Sequence, residues 1–308
     1  MTLCWTHGLY DAIFYIYTRG MGDFVTPLEE LVTVLRGALD GGVALHDTQV
    51  RLGNKILVYV SCCLAGRGYP HGEIDPAQLK QVKHEIFKSL TCLHSKNALS
   101  SEPSFPLLRT LLRFDTREFL NVLALAFEEE EFTSELGMQQ RQRVVDILIQ
   151  VMVNDKEFGA PQLGSLFTFI ARQMSKQQGA IAINRQLFDQ VLCHLTSSDT
   201  ESYHDERQTA LLELLQGGGL AHYDPEYLLL RARQAQFYRV CEYVYEERGE
   251  LEKIVECYLE DPMRRHQVFT YVRSALSSAM FTDLHAQKIQ EQFVKHIRVC
   301  IEGSVEGS

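Results

Sequence analysis

The sequence holds no apolar run long enough to cross a membrane. Its longest, Ile56 to Ala65 around Cys62 and Cys63, is half of what a bilayer requires and reads as a buried helix. No C-x-x-C pair occurs, which removes zinc-finger and thioredoxin-like centres. No Asn-x-Ser/Thr acceptor occurs either. Met1 leads into an amphipathic segment around Trp5, the only tryptophan, without the charged start of a signal peptide. Gly and Pro number 20 and 8 in 308 residues, too few for a sandwich or barrel full of tight turns. Basic residues are outnumbered, 30 against 40 acidic ones, for a net charge of −10. Gripping nucleic acid or an anionic membrane needs a positive field, so neither is expected as a direct partner. The cysteines (Cys4, Cys62, Cys63, Cys92, Cys193, Cys241, Cys257 and Cys300) are scattered through helical patterns as small hydrophobes. That usage implies reduced thiols and a cytosolic setting.

What is present is helical. Leu79, Val82, Ile86, Leu90 and Leu93 mark one stripe, as do Leu187, Phe188, Val191, Leu192 and Leu195, and Leu251, Ile254, Val255, Tyr258 and Leu259. The one strand-like scrap, Gly179 to Asn184, reads as a loop. Helix starts are legible. Thr26-Pro27-Leu28-Glu29 predicts a Thr N-cap, Pro at the first helical position and a capping-box Glu. Asp75, Asp224 and Asp261, each followed by Pro, predict acidic caps, and Asp115 with Glu118 a second capping box. Stops fall at Gly41-Gly42, Gly66 to Pro70 and Gly217 to Gly219. This punctuation gives about fourteen helices with mostly short links, hence antiparallel hairpins. The expected fold is an all-α solenoid over residues 1–303, with hinges near 128–137 and 197–204 and a flexible tail at 304–308.

Motifs that carry chemistry are missing. There is no Walker loop or G-x-S-x-G elbow, and Gly66-Arg67-Gly68 lacks dinucleotide spacing. His84-Glu85-Ile86-Phe87-Lys88 begins like a zincin helix, but Lys88 takes the second ligand position and its ammonium has no lone pair to give. Cys92 with His94, and Cys193 with His194, point apart on a helix. No catalytic residue, metal ligand or cofactor is therefore expected. Glu128, Glu129, Glu130 and Glu131 form an acidic connection that offers itself to a basic partner, and Arg264 and Arg265 could meet an acidic one. Both groups read more simply as solvated surface.

One motif repeats. Tyr10, Tyr15 and Tyr17 have the spacing Y-x4-Y-x-Y, and Tyr238, Tyr243 and Tyr245 have it again, 228 residues later. Glycine breaks follow at Gly22 and Gly249, offset by one residue between the copies. Seven residues make nearly two helical turns, so the first and third Tyr of each copy share a face and are expected to fill the groove against the next hairpin. Both ends of the chain stop within or just after helices, which suggests part of a longer solenoid.

The stretch Gly8 to Tyr17, followed by Gly22-Asp23-Phe24-Val25-Thr26-Pro27-Leu28, resembles the signature of the vacuolar protein sorting-associated protein eight family, which supplies a subunit of the CORVET endosomal tether. Phe237 to Tyr245, with Gly249 and Glu256 to Pro262, is similar to clathrin-heavy-chain-type repeats. The resemblance implies a non-enzymatic scaffold segment that acts in endosomal vesicle fusion and vacuolar or lysosomal transport. It would sit on the cytosolic face of early endosomes, attached peripherally through its complex. Its implied partners are class C core tether subunits and, through the full-length protein, early-endosomal Rab GTPases. Whole family members look like a β-propeller, a solenoid and a RING-type zinc domain; neither end module is visible, so only the solenoid role carries over. The alternatives are a segment of another clathrin-repeat coat or HOPS-type tether and, remotely, an enzyme with an unrecognised site.

Overall fold

The helical period is realised along the chain in a computed structural model that describes residues 2–96, 98, 102–155, 157–176, 185–197, 203–276 and 291. Two compact units divide it, Met1–Ala182 and Ile183–Ser308. The first contains α1 (Thr2–Thr6), α2 (Tyr10–Tyr15), α3 (Thr26–Asp40), α4 (Asp47–Leu64), α5 (Leu79–Leu90), α6 (Pro106–Phe114), α7 (Thr116–Ala126), α8 (Glu135–Ile149) and α9 (Ala160–Lys176). The second contains α10 (Arg185–Leu195), α11 (His204–Gln216), α12 (Pro225–Gln234), α13 (Tyr238–Glu247), α14 (Leu251–Glu260) and α15 (Val268–Leu276). No strand occurs among the described residues. Each unit is a stack of helical hairpins, the all-α solenoid architecture. The hinge expected at 128–137 lies inside the first unit, and that at 197–204 falls largely outside the described residues, as do Gly179–Asn184 and the tail at 304–308.

The apolar stripes supply the cores. Val82, Ile86 and Leu90 on α5 are buried, but Leu93 is half exposed because the helix ends three residues before it. Leu187, Phe188, Val191, Leu192 and Leu195 are all buried on α10. Helix α4 packs against α2, α3, α5, α6 and α7, with Ile56, Tyr59, Val60 and Cys63 fully enclosed. It is not apolar-buried on every side, since Val58 is half exposed. Enclosure pushes the Cys63 thiol up to about 12, as expected for a small hydrophobe with no charged role.

Two of the expected caps form and several do not. Asp224 accepts from the Tyr227 backbone N–H at 3.0 Å, and Asp115 from that of Glu118 at 3.0 Å. At α3, however, Thr26 is the first helical residue and no Thr26–Glu29 capping box is present. Asp23 does the work instead, accepting from the N–H groups of Val25 and Thr26, both at 3.0 Å. Pro27 sits one position deeper than expected, and Glu29 pairs with Lys96 at 3.1 Å. Asp75 accepts from Ala77 N–H at 2.9 Å in a turn that precedes α5, whose first residue is Leu79. Asp261 likewise opens a turn, accepting from Met263 N–H at 2.9 Å. In both cases Asp-Pro started a turn, because Asp also bonds its own backbone two residues on.

The two tyrosine motifs share one backbone device. The preceding helix ends in a left-handed residue, Gly8 (φ 62°) or Gln236 (φ 57°). The next residue, Leu9 (φ −81°, ψ 65°) or Phe237 (φ −85°, ψ 65°), swings the chain into the tyrosine helix. Leu9 N–H donates to Cys4 C=O at 2.9 Å and Phe237 N–H to Ala232 C=O at 2.8 Å, the six-to-one bond of a Schellman stop. The copies then diverge. After Tyr15 the chain widens into a π-helical turn over Ile16–Met21, with Gly22 N–H donating to Tyr17 C=O, whereas α13 stays α-helical to Glu247. A π turn holds one residue more than an α turn. That is the physical origin of the one-residue glycine offset.

Candidate interaction surfaces

The N-terminal motif builds an aromatic and ionic clamp. Helical spacing turns Ile13 and Phe14 inward, and both are fully buried. The Phe14 ring stacks on Tyr59 at 4.1 Å and meets Tyr69 edge-on at 5.2 Å. Tyr59 donates to Phe24 C=O at 2.6 Å. Tyr69 donates to Asp11 Oδ1 at 2.7 Å, and Lys55 pairs with the other Asp11 oxygen. Arg19, on the π turn, donates to His71 C=O at 3.2 Å. The clamp thus ties α2 and the π turn to α4 and to the loop after it.

The tyrosines are placed differently from the expectation. Tyr10 and Tyr17 are half-buried, Tyr10 with its ring beside Gly8 and Tyr17 donating to Glu30 Oε2 at 3.0 Å. Tyr15 is 52% exposed and fills no groove. In the second copy Tyr238 and Tyr243 are half-buried and only Tyr245 is buried, under Lys253 at 5.3 Å and Arg233 at 5.8 Å. The core positions are instead Ile13 and Phe14 in the first copy and Val240, Cys241 and Val244 in the second; of these only Ile13 and Cys241 correspond.

The charged candidates are engaged within the chain. Lys83 bridges Glu129 at 3.1 Å and Glu131 at 2.9 Å, and Lys176 pairs with Glu128 at 2.5 Å, leaving Glu130 exposed. Phe132 anchors the same connection against Phe87 and Phe127. Arg264 bonds Glu242 at 2.7 Å and Asp261 at 2.8 Å and lies 4.6 Å over Tyr258. Arg265 donates to Leu259 C=O at 2.8 Å, closing the end of α14. Arg264 is thus neutralised within the chain, whereas Arg265 is exposed and its bond goes to a neutral carbonyl.

Sequence reasoning passed over Arg109. It sits in α6 among residues that are nearly all buried, is itself only 6% exposed, and reaches Asp155 at 2.5 Å, Glu157 and Ser104 C=O at 3.3 Å. The signal was an arginine in the apolar run Pro106-Leu107-Leu108-Arg109-Thr110-Leu111-Leu112; its partners, some 46 residues on, carried none.

A cleft of about 1040 Å³ runs along α3 in the first unit, lined by Trp5, Val25, Val34, Lys88 and Leu107 among others. Its carboxylates are committed internally: Asp23 caps α3, Glu29 holds Lys96 and Glu30 accepts from Tyr17. Among the described residues no group of three or more His, Cys, Asp or Glu could hold a metal, and no helix is long and apolar enough to cross a membrane.

The clamp sets a pH dependence. Burial alone would raise the Asp11 carboxyl, but hydrogen bonds from Lys55 and Tyr69, with the charges of Lys55 and His71, bring it below its ordinary value. Glu102 and Glu131 are also held down despite burial, the first by Ser95 and Arg36, the second by Lys83. For a depressed carboxylate the unfolded chain takes up its proton first. The stabilisation is complete above the ordinary range near pH 4 and is lost as pH falls through the folded values. Denaturation midpoints measured from pH 7 to 3 should hold steady and then drop below about pH 4.5. In Asp11→Asn the drop should be shallower, and identical acid limbs would remove the clamp's role.

Residues 1–127 match the family model described as Vps8 central TPR. The vacuolar protein sorting-associated protein 8 homolog of Homo sapiens is 46% identical over 295 residues, covering 96% of this chain and 21% of its own. That of Drosophila melanogaster is 37% identical over 277 residues, 88% of this chain and 22% of its own. Vacuolar protein sorting-associated protein 8 of Saccharomyces cerevisiae is 25% identical over 287 residues, 84% of this chain and 22% of its own. The chain spans about a fifth of the length of these relatives. No solved structure matches it.

Proposed function

Because the chain belongs to the vacuolar protein sorting-associated protein 8 family, we propose that it is a scaffold segment of a vesicle-tethering subunit in endosome-to-vacuole or lysosome transport. The observation that carries this reading is the 46% identity sustained over 96% of the chain. In this reading the hairpin stack of each unit is a spacer and docking surface, and it performs no catalysis. Its partners are class C core subunits of a CORVET-type tether. Early-endosomal Rab GTPases are reached through the full-length protein, and the complex holds the chain at the cytosolic face of the membrane. The packed Phe14 clamp suits such a spacer, since enclosed aromatics joined by hydrogen bonds resist deformation.

The test is a pulldown of this segment and of the longer parent chain against class C core subunits and GTP-loaded endosomal Rabs. Capture of class C subunits by both segment and parent, and of Rab by the parent alone, is the expected result. If neither the segment nor the parent retains any of them, the tether reading fails.

A further inference from the structure

The α13–α14 hairpin has an unusual charge balance: between Tyr238 and Glu260, seven glutamates face three basic residues. Where a tyrosine ring and a carboxylate meet on it, a cation fills the frame. Arg264 lies 4.6 Å over Tyr258 while bonding Glu242 at 2.7 Å. Lys253 lies 5.3 Å over Tyr245 while pairing with Glu250. Tyr243, Glu246 and Glu247 repeat the combination on the outer face of α13, one turn apart and therefore on one side of the helix. Among the described residues, no ion pair engages either carboxylate and no cation lies over the Tyr243 ring. Arg239, a turn earlier, pairs with neither. Burial raises the Tyr243 phenol, and Glu247 and Glu246 raise it further, which records the negative field at the ring. Glu246 also acts on Tyr258 and Tyr271, which stack on each other at 5.0 Å.

We propose that this face of α13 docks a lysine- or arginine-bearing segment of a partner protein, with the cation over Tyr243 and between Glu246 and Glu247. The ring quadrupole and the two carboxylates attract the same charge, and the chain's own Arg264 and Lys253 show the geometry in use. The inference rests on the chain being a protein-binding scaffold, but not on which complex it serves.

The test is fluorescence anisotropy of a labelled dodecapeptide of alternating arginine and alanine titrated into the 308-residue chain at physiological salt. Glu246→Lys with Glu247→Lys should weaken binding about tenfold, and Tyr243→Ala about threefold. Asp47→Lys with Glu73→Lys, two exposed carboxylates in the first unit, makes the same change in net charge elsewhere and should alter binding less than about twofold. Equal weakening by the two double variants, or by neither, would overturn the proposal, because binding would then follow bulk charge or another surface. If circular dichroism shows the lysine pair unfolded, Glu246→Gln with Glu247→Gln reads the same contrast. The subunit pulldown does not use this peptide, so failure here and failure of the tether reading are separate results.

Discussion

Phe14→Ala is expected to destabilise the first unit by about 3–5 kcal/mol, whereas Tyr15→Ala, one residue on, should stay within about 0.5 kcal/mol. Phe14 is fully buried and Tyr15 is 52% exposed. Truncation at Phe14 would open a cavity walled by Tyr59 and Tyr69, and those rings cannot swing in to fill it. Tyr59 is tied to Phe24 C=O at 2.6 Å and Tyr69 to Asp11 at 2.7 Å. A cavity that cannot collapse carries its full cost. Urea denaturation at constant m-value measures both variants. A small shift for Phe14→Ala, or a large one for Tyr15→Ala, would contradict the observed register.

Arg109→Ala is expected to cost about 2–4 kcal/mol, somewhat less than breaking a fully closed buried ion pair. The guanidinium side is enclosed, but the side chains of Asp155 and Glu157 are 40% and 34% exposed and can rehydrate once abandoned. Because the cation is shielded from solvent, most of the loss should persist in 1 M salt, where exposed pairs are screened. Arg113 reinforces the network by reaching Asp40 at 2.7 Å and Glu157 at 3.4 Å. Hydrogen exchange should therefore quicken at Gln150–Asn154, beside Asp155, more than at α4. A loss below 0.5 kcal/mol, about the surface level, would show that Arg109 is merely solvated.

The helices were readable because their stripes are set by burial, which leaves a period in the sequence. Val82, Ile86 and Leu90 were legible for that reason, and so was the Asp224 cap, where the polar group lies next to the backbone it serves. Thr26 misled because Asp23, three residues earlier, already holds the Thr26 N–H that Glu29 would have taken in a capping box. Tyr15 misled because a spacing rule gives relative angle but not which side faces inward; that is fixed by Tyr59 and Tyr69, more than 40 residues away. Glu128, Glu129 and Glu131 read as solvated surface for the same reason, since Lys176 and Lys83 arrive from other helices, as does Glu242, one of the two carboxylates that hold Arg264. Sequence carries the period of a surface well and the identity of its distant partners poorly.

The widened turn at Ile16–Met21 also bears on how such arrays change over time. An added residue normally rotates everything downstream by about 100°, turning core positions out to solvent. Here the loose turn absorbs the rotation and a left-handed glycine, Gly22 (φ 67°), still halts the helix as Gly249 (φ 68°) does in the other copy. A single insertion could thus persist without any compensating substitution. Aligning the two copies then requires one gap after Tyr17, and substitutions compared across them without that gap would pair an inward residue with an outward one.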